Sequence, residues 1–481
     1  MNTDHGVYNN PLITRYATRE MSATFSEAHR IGLFRRLWLK LAEGEKALGL
    51  NITDEQIEEL KAHLNDIDFE LAAERERLVR HDVMAHVYTY GVACPKAAPI
   101  IHLGATSCYV TDNADIIIYR EALSMVRDKI AAVMARLRDF AKKYKKTPTL
   151  GFTHLQPAQL VTVGKRATLW LQDLLLDMEN LTHVIDSLVM RGVKGTTGTQ
   201  ASFLELFDGD HKKVKALDEY IVKSFGFSSS IPVSGQTYTR KIDYFILSAL
   251  SGVAQSAYKF AQDIRLLQSR KEMEEPFNEK QIGSSAMAYK RNPMRSERIC
   301  SLARYLVSLP QNAADTASVQ GFERTLDDSA NRRIVMGEAF LAADGILELM
   351  MNVTSGLVVY EKVINAHIKE EIPFMATEII LMECVKAGGN RQELHEKIRE
   401  HSMAAEKNAR MTGKPNDLIS RLKTDPAFAA VRDFKKLMDP KLFIGRCPEQ
   451  VTEFLSRHID PLLKKYSGAV EKYASAGNIK C

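Results

Sequence analysis

From Asn113 to Lys146 the residues Ile116, Ile117, Tyr119, Leu123, Val126, Ile130, Val133, Leu137 and Phe140 recur at three- and four-residue steps, with no Pro or Gly between them. The spacing predicts one long helix. The same pattern returns from about Gln159 to Arg191, from Arg240 to Arg270, from Arg295 to about Val319 and from Asp327 to Gly356. At around 25 to 33 residues each, these stretches run roughly 37 to 50 Å, well beyond an ordinary globular helix. Helices of this length fit a bundle that also packs against neighbouring subunits. No alternation of strand and helix patterns is visible. The expected fold class is therefore all-α, built as three helical domains with a central long-helix bundle over residues 112–362.

The flanks read differently. Residues 1–111 carry shorter helical patterns, punctuated by a candidate N-cap at Thr53 with Gln56 three residues on. Residues 363–481 again break into short helices at Pro373, Gly388-Gly389, Gly413-Lys414-Pro415 and Pro440. No internal repeat or low-complexity segment appears.

Composition excludes several classes. Hydrophobic residues make up 45% and charged residues 26%, and no uncharged apolar window is long enough to span a bilayer. Met1 to Asn10 is polar and lacks a basic stretch followed by an apolar run, so a cytoplasmic address is expected. Cys94, Cys108, Cys300, Cys384, Cys447 and Cys481 are scattered without a C-x-x-C pair, which reads as reduced thiols. The net charge of +5 is small, and Lys142 to Lys146, the densest basic run, reads as a solvated helix end. Nucleic acid and membrane are not expected partners.

Chemistry is expected in the breaker-rich connections Lys146–Pro157, Gly192–Gly198, Ser228–Gln236 and Glu275–Pro293. In the last, Gly283, Ser284 and Ser285 precede Lys290. A serine hydroxyl can take a proton from carbon only if backbone N–H groups and a cation stabilise its alkoxide, and Gly283 and Lys290 suit that task. On composition alone the same stretch reads as a flexible surface turn. His81 and His86 flank Asp82 and invite a metal reading, but residues five apart on a helix diverge by about 140°, whereas zinc helices place histidines four apart. His86 reads as structural. The Gly192–Gly198 turn follows a helix and lacks the spacing of a phosphate-binding fingerprint, so it is expected mainly to connect helices and line the cleft. No metal or cofactor is called for.

Ser284-Ser285-Ala286-Met287-Ala288-Tyr289-Lys290-Arg291-Asn292-Pro293 resembles the Ser-Ser-x-Met-Pro-x-Lys-x-Asn-Pro signature of the fumarase, aspartase and argininosuccinate lyase superfamily. Thr106-Ser107 before the first long helix and Thr153-His154-x-Gln156-Pro157 before the second extend the resemblance over nearly the whole chain. Arg80-His81-Asp82-Val83, Gly151 to His154, Lys194 to Thr199 and Arg324 to Ser329 are similar to the animal-type branch that acts on succinyl-purine nucleotides.

That resemblance implies an anti elimination of fumarate, with a base and an acid on opposite faces of the substrate. It assigns the base to Ser284 and the acid to His154, whose imidazole changes charge near neutral pH. Arg80, His81 and Asp82 would contact the nucleotide and help orient the acid. Arg15, Tyr16, Arg324, Ser329 and Arg333 match phosphate-binding positions. Thr106, Ser107, Gln236, Lys290 and Asn292 match positions around the succinyl carboxylates; Thr153 and Arg298 are further binding residues. The superfamily also implies a homotetramer with a twenty-helix core and sites shared between subunits. Competing expectations are an argininosuccinate-type lyase, which the phosphate set disfavours, and a catalytically silent structural homologue, which the presence of Ser284 and His154 disfavours. Two positions depart from the pattern: Ala288 replaces a proline, and Gly321 stands where a large aromatic is usual.

Overall fold

The structure, a computed structural model, describes residues 6–278 and 280–477. Its centre is a bundle of the helices Ser107–Lys143, Val163–Ser187, Lys241–Ser269, Met294–Ser308 and Asp328–Ser355. The first contains 37 residues, about 55 Å of rod. Ile116, Leu123, Val126, Ile130, Val133 and Leu137 are buried along it, on the face the sequence periodicity marks. Each such side chain contributes roughly 1.5–3 kcal/mol. Trp170 meets Phe260 edge to face at 5.2 Å and donates Nε1–H to Asp263 at 2.7 Å, which locks the second helix to the third.

The structure departs from the sequence reading at several points. The first long helix begins already at Ser107. The segment expected to be a breaker-rich connection before the second helix is instead a hairpin, β1 (Pro148–Thr153) and β2 (Gln156–Thr162), so that helix starts only at Val163. Thr153 pairs with Gln156, and His154 and Leu155 between them have φ of 53° and 57°. This is the two-residue turn that matches strand twist, built here without glycine. Gly151 sits at the register shift between Leu150 and Phe152, where a Cβ would lie 2.5 Å from the Gln159 carbonyl oxygen. The stretch from Arg295 to Val319 is two helices, Met294–Ser308 and Pro310–Val319, because Pro310 cannot continue the hydrogen-bond ladder. Pro373, expected to break a helix, lies inside Glu361–Met375.

Thr53 caps its helix through the reciprocal bond with Gln56. A second small sheet pairs Met273–Glu274 with Val358–Val359. Cys94, Cys108, Cys300, Cys384 and Cys447 are free and buried, and Cys481 lies outside the described residues. No described helix is long and apolar enough to cross a membrane.

Candidate active site

Four helices begin around one cavity of about 920 Å³. They are Asp82–Ala93, Ser107–Lys143, Lys241–Ser269 and Asp328–Ser355. Their starts bring His81, Asp82, Thr106, Ser107, Gln236, Ser329 and Arg333 to its walls, together with Arg324 from the preceding loop. Each helix start carries roughly half a positive charge and unpaired N–H groups, so the convergence attracts anions. At three of the four, no side chain caps the first-turn amides.

Below this rim lies a buried charge network that sequence reasoning missed. Arg240 donates to Asp328 at 2.7 Å and to Asp112 at 3.1 and 3.3 Å. Arg332 donates to Asp243 at 2.6 Å, Asp115 at 3.1 Å and the Tyr238 hydroxyl at 2.6 Å. Burial alone would lower the Arg332 guanidinium, but Asp243, the Tyr238 and Tyr119 hydroxyls and Asp115 push it well above its ordinary value. These arginines are consumed by their aspartates and hold three of the four helix starts together, those of Ser107–Lys143, Lys241–Ser269 and Asp328–Ser355. Arg30 also reaches Asp115, at 3.3 Å. One available signal was Asp112 and Asp115, two carboxylates three residues apart inside an otherwise apolar helix pattern.

Arg324 and Arg333 are less engaged. Arg324 donates to the Cys108 sulfur and lies 3.8 Å from Asp328. Burial, then Asp112, pushes the Cys108 thiol up to about 11, so it stays protonated and the arginine keeps its full charge. Arg333 donates to Asp82 at 2.6 Å, with its side chain 57% exposed. Burial pushes the Asp82 carboxyl up, but the Val83 N–H and then Arg333 outweigh it and hold it below the usual carboxylate range.

His81 is the N-cap of the Asp82–Ala93 helix: its Nδ1 accepts from the Met84 N–H at 3.4 Å. With Nδ1 accepting, Nε2 carries the proton and donates to the Ser107 hydroxyl at 3.2 Å. Gln236 donates to the Thr106 hydroxyl at 3.4 Å. His86 points elsewhere, buried edge to face with Phe69 at 6.4 Å.

Ser284, Lys290 and Asn292 lie outside the cavity, on the loop between the third and fourth long helices. The ends of that loop are pinned. Glu275 accepts from the Arg295 and Ser296 N–H groups at 2.9 Å, and Gln268 donates to the Arg291 carbonyl at 3.2 Å. Asn292 donates to the Gly283 carbonyl at 2.7 Å. Gly283 is required there, since a Cβ would lie 2.2 Å from the Lys290 carbonyl oxygen. Between these anchors the Ser284 hydroxyl accepts from the backbone N–H of Ala286 at 3.4 Å and of Met287 at 3.1 Å. Lys290 is exposed.

A third group also lies apart. His154 and Thr153 are exposed at the hairpin tip, and Arg80 is exposed with φ of 54° at the end of the Phe69–Val79 helix. Arg15 and Tyr16 belong to the Leu12–Tyr16 turn, and Arg298 stacks over the Tyr16 ring at 5.9 Å. None of these five lines the cavity within one chain, nor does Arg298. The Gly192–Gly198 turn, expected to line the cleft, does not: Asp218 braces it through the Val193 N–H at 2.8 Å and Lys194 at 2.9 Å.

A family model described as lyase matches residues 51–307, and one described as adenylosuccinate lyase C-terminus matches residues 373–454. The chain is 54% identical to an adenylosuccinate lyase of Schizosaccharomyces pombe, covering 97% of this chain and 98% of that protein. It is 53% identical to that of Saccharomyces cerevisiae, covering 99% of both. Among solved structures, the 3-carboxy-cis,cis-muconate lactonizing enzyme of Pseudomonas putida superposes with a TM-score of 0.81 over 95% of this chain and all of that one, at 21% identity, a likeness of fold alone. With its extent and its signature motifs both accounted for, the chain belongs to the adenylosuccinate lyase family.

Proposed function

We propose that the cavity holds the nucleotide of a succinyl-purine substrate and that the signature loop and the hairpin tip carry out the elimination. The chain is a carbon–nitrogen lyase that releases fumarate from adenylosuccinate to give AMP, and from succinylaminoimidazole carboxamide ribotide to give the corresponding carboxamide ribotide. The observation that carries the nucleotide reading is the convergence of four helix starts with Arg324, Ser329 and Arg333 on one cavity. A phosphate suits such a site through dipoles and guanidinium forks. Arg15 and Tyr16 join it when substrate binds; Arg80, His81 and Asp82 contact the nucleotide.

Ser284 is the base. Two backbone N–H groups already address its oxygen, which is the arrangement an alkoxide requires, and Lys290 supplies the nearby cation. It removes the proton from the succinyl carbon, and the electron pair spreads into the adjacent carboxylate before the carbon–nitrogen bond breaks. His154 protonates the departing purine nitrogen. Thr106, Ser107, Thr153, Gln236, Asn292 and Arg298 bind the succinyl and ribose portions.

These residues fall into separated groups on one chain, which supports a homotetramer whose sites draw on several subunits. Leu169, Leu176, Phe245 and Leu266 leave the long helices with exposed apolar side chains, a surface suited to such packing. In this arrangement residues 1–111 form an N-terminal helical domain, 112–362 the central long-helix bundle with the loop 281–293, and 363–481 a C-terminal helical domain.

The test offers purified protein adenylosuccinate, argininosuccinate, aspartate and malate in parallel and follows fumarate by ultraviolet absorbance. Release from adenylosuccinate alone is expected. An inert adenylosuccinate beside a reacting competitor would defeat the assignment.

A further inference from the structure

Of the two rim arginines, Arg324 lies 3.8 Å from the buried Asp328, whereas the more exposed Arg333 is hydrogen-bonded directly to a carboxylate on the cavity wall. The Asp82 Oδ2 accepts from Arg333 at 2.6 Å, while Oδ1 accepts from the Val83 N–H at 2.8 Å and lies 3.7 Å from Nδ1 of His81. Both side chains line the cavity and both are part-exposed, at 57% for Arg333 and 39% for Asp82. The pair bridges two separate helix starts, 251 residues apart in sequence. It differs from the buried pairs beneath it: Arg240 and Arg332 are fixed by several partners each, whereas Arg333 is held by one carboxylate that solvent reaches.

We infer that Asp82 is a placeholder anion, paired with Arg333 until an incoming phosphate takes its place. This rests on the nucleotide reading above, and adds that phosphate capture and histidine alignment are one event. A dianionic phosphate offers Arg333 a stronger bidentate partner than a single carboxylate oxygen. Once displaced, Asp82 keeps the Val83 N–H, which holds Oδ1 at the helix start, and its freed Oδ2 accepts from Nδ1 of His81, which then carries the ring proton in place of Nε2. That imidazole reaches Ser107 on the wall of the cavity. The exchange makes Asp82 a positioning residue: it costs some phosphate affinity and in return orders His81 only when the nucleotide is seated.

The proposal makes an opposite-sign prediction for its two members. Calorimetric titration of the full-length protein with inorganic phosphate and with AMP would compare the wild type with Asp82→Asn, Arg333→Gln and the double variant. Removing the competing charge should tighten phosphate binding by about two- to fivefold, the range of an exposed ion pair. Arg333→Gln should weaken it, and in that background Asp82→Asn should add nothing. Asp82→Ser, which keeps a short hydrogen-bonding side chain without the charge, should reproduce the tightening if the asparagine variant folds poorly. Meanwhile turnover of the Asp82 variants should fall at saturating substrate, a split in which binding improves and kcat drops that simple structural damage would not produce. Phosphate affinity unchanged or weaker in both Asp82 variants would overturn the placeholder even if adenylosuccinate turns over normally. Conversely, the expected pattern with inorganic phosphate but no binding of AMP would leave the placeholder standing and remove the nucleotide reading.

Discussion

The Ser284 hydroxyl accepts a hydrogen bond from the Met287 N–H at 3.1 Å, closing a short turn in a loop whose two ends are anchored by Glu275 and Asn292. The loop therefore presents Ser284 at a fixed point of an otherwise exposed segment. Ser284→Ala removes the proposed base and makes no cavity in the core. Turnover should fall by several orders of magnitude, with thermal stability within about 0.5 kcal/mol of the parent. Steady-state fumarate release and a denaturation curve on the same preparation check both halves; loss of activity with matching loss of fold would not support the assignment.

His154 stands at the exposed tip of the hairpin and does not line the cavity. If each site combines the two from different subunits, inactive Ser284→Ala and His154→Ala tetramers, dissociated and reassembled together, should regain part of the wild-type rate. Each variant alone should regain none. Mixtures that stay silent under conditions where wild-type protein recovers would place both residues of a site on one chain.

The fold was legible where one physical signal dominates. The three- and four-residue apolar steps around Ile116, Leu123 and Ile130 found the bundle, and Thr53 with Gln56 found a helix start. The hairpin was not legible, because Pro157 and Gly151 read as breakers and the left-handed pair His154-Leu155 lacks the Asn-Gly that advertises such a turn. At the site, the resemblance supplied Arg324, Ser329 and Arg333. Arg240 and Arg332 escaped because only tertiary packing distinguishes a buried, aspartate-held arginine from a solvated one next to it in sequence.

Lys129 is buried between Asp344 and Glu348, and Asp344 also accepts from the Thr18 N–H at 2.6 Å. Lys129→Met would strand two carboxylates without their cation, at a cost of about 3–5 kcal/mol. Because Thr18 follows the Arg15-Tyr16 turn, the same change should loosen that segment and raise KM. The denaturant midpoint and KM should move together; a stable variant with unchanged KM would show that the cluster matters to neither.

Glu45 is buried with no hydrogen-bond partner on either oxygen, and burial pushes its carboxyl up to about 9. The folded chain thus holds a proton there that the unfolded chain releases above its ordinary value of 4.5. With more protons bound in the native state, stability is fully present below that ordinary value and declines as pH rises toward the folded one, by up to about 1.4 kcal/mol per pH unit. Glu45→Gln mimics the protonated group and should abolish this slope. The variant should match the parent near pH 4 and exceed it increasingly toward pH 9 in denaturant titrations. Parallel curves across that window would exclude Glu45 as the titrating group.

Ala288 occupies the second position of a turn closed by the Lys290 N–H donating to the Met287 carbonyl at 3.0 Å. Proline is favoured at that position because its ring presets φ near −65°. Among the described residues the Ala288 N–H makes no backbone hydrogen bond, so a proline would remove no donor in use there. The loop N–H groups that address Ser284 belong to Ala286 and Met287, which Ala288→Pro leaves in place. If the loop closes over bound substrate, the substitution restricts its open form more than the closed one and should favour closure by roughly 0.4–1 kcal/mol. Turnover should rise, or KM fall, by about two- to fivefold, with the gain shrinking if Gly283 is also replaced and the loop can no longer pack against Lys290. A rate that stays the same or worsens, both at saturation and at low substrate, would show that ordering this turn does not limit the reaction.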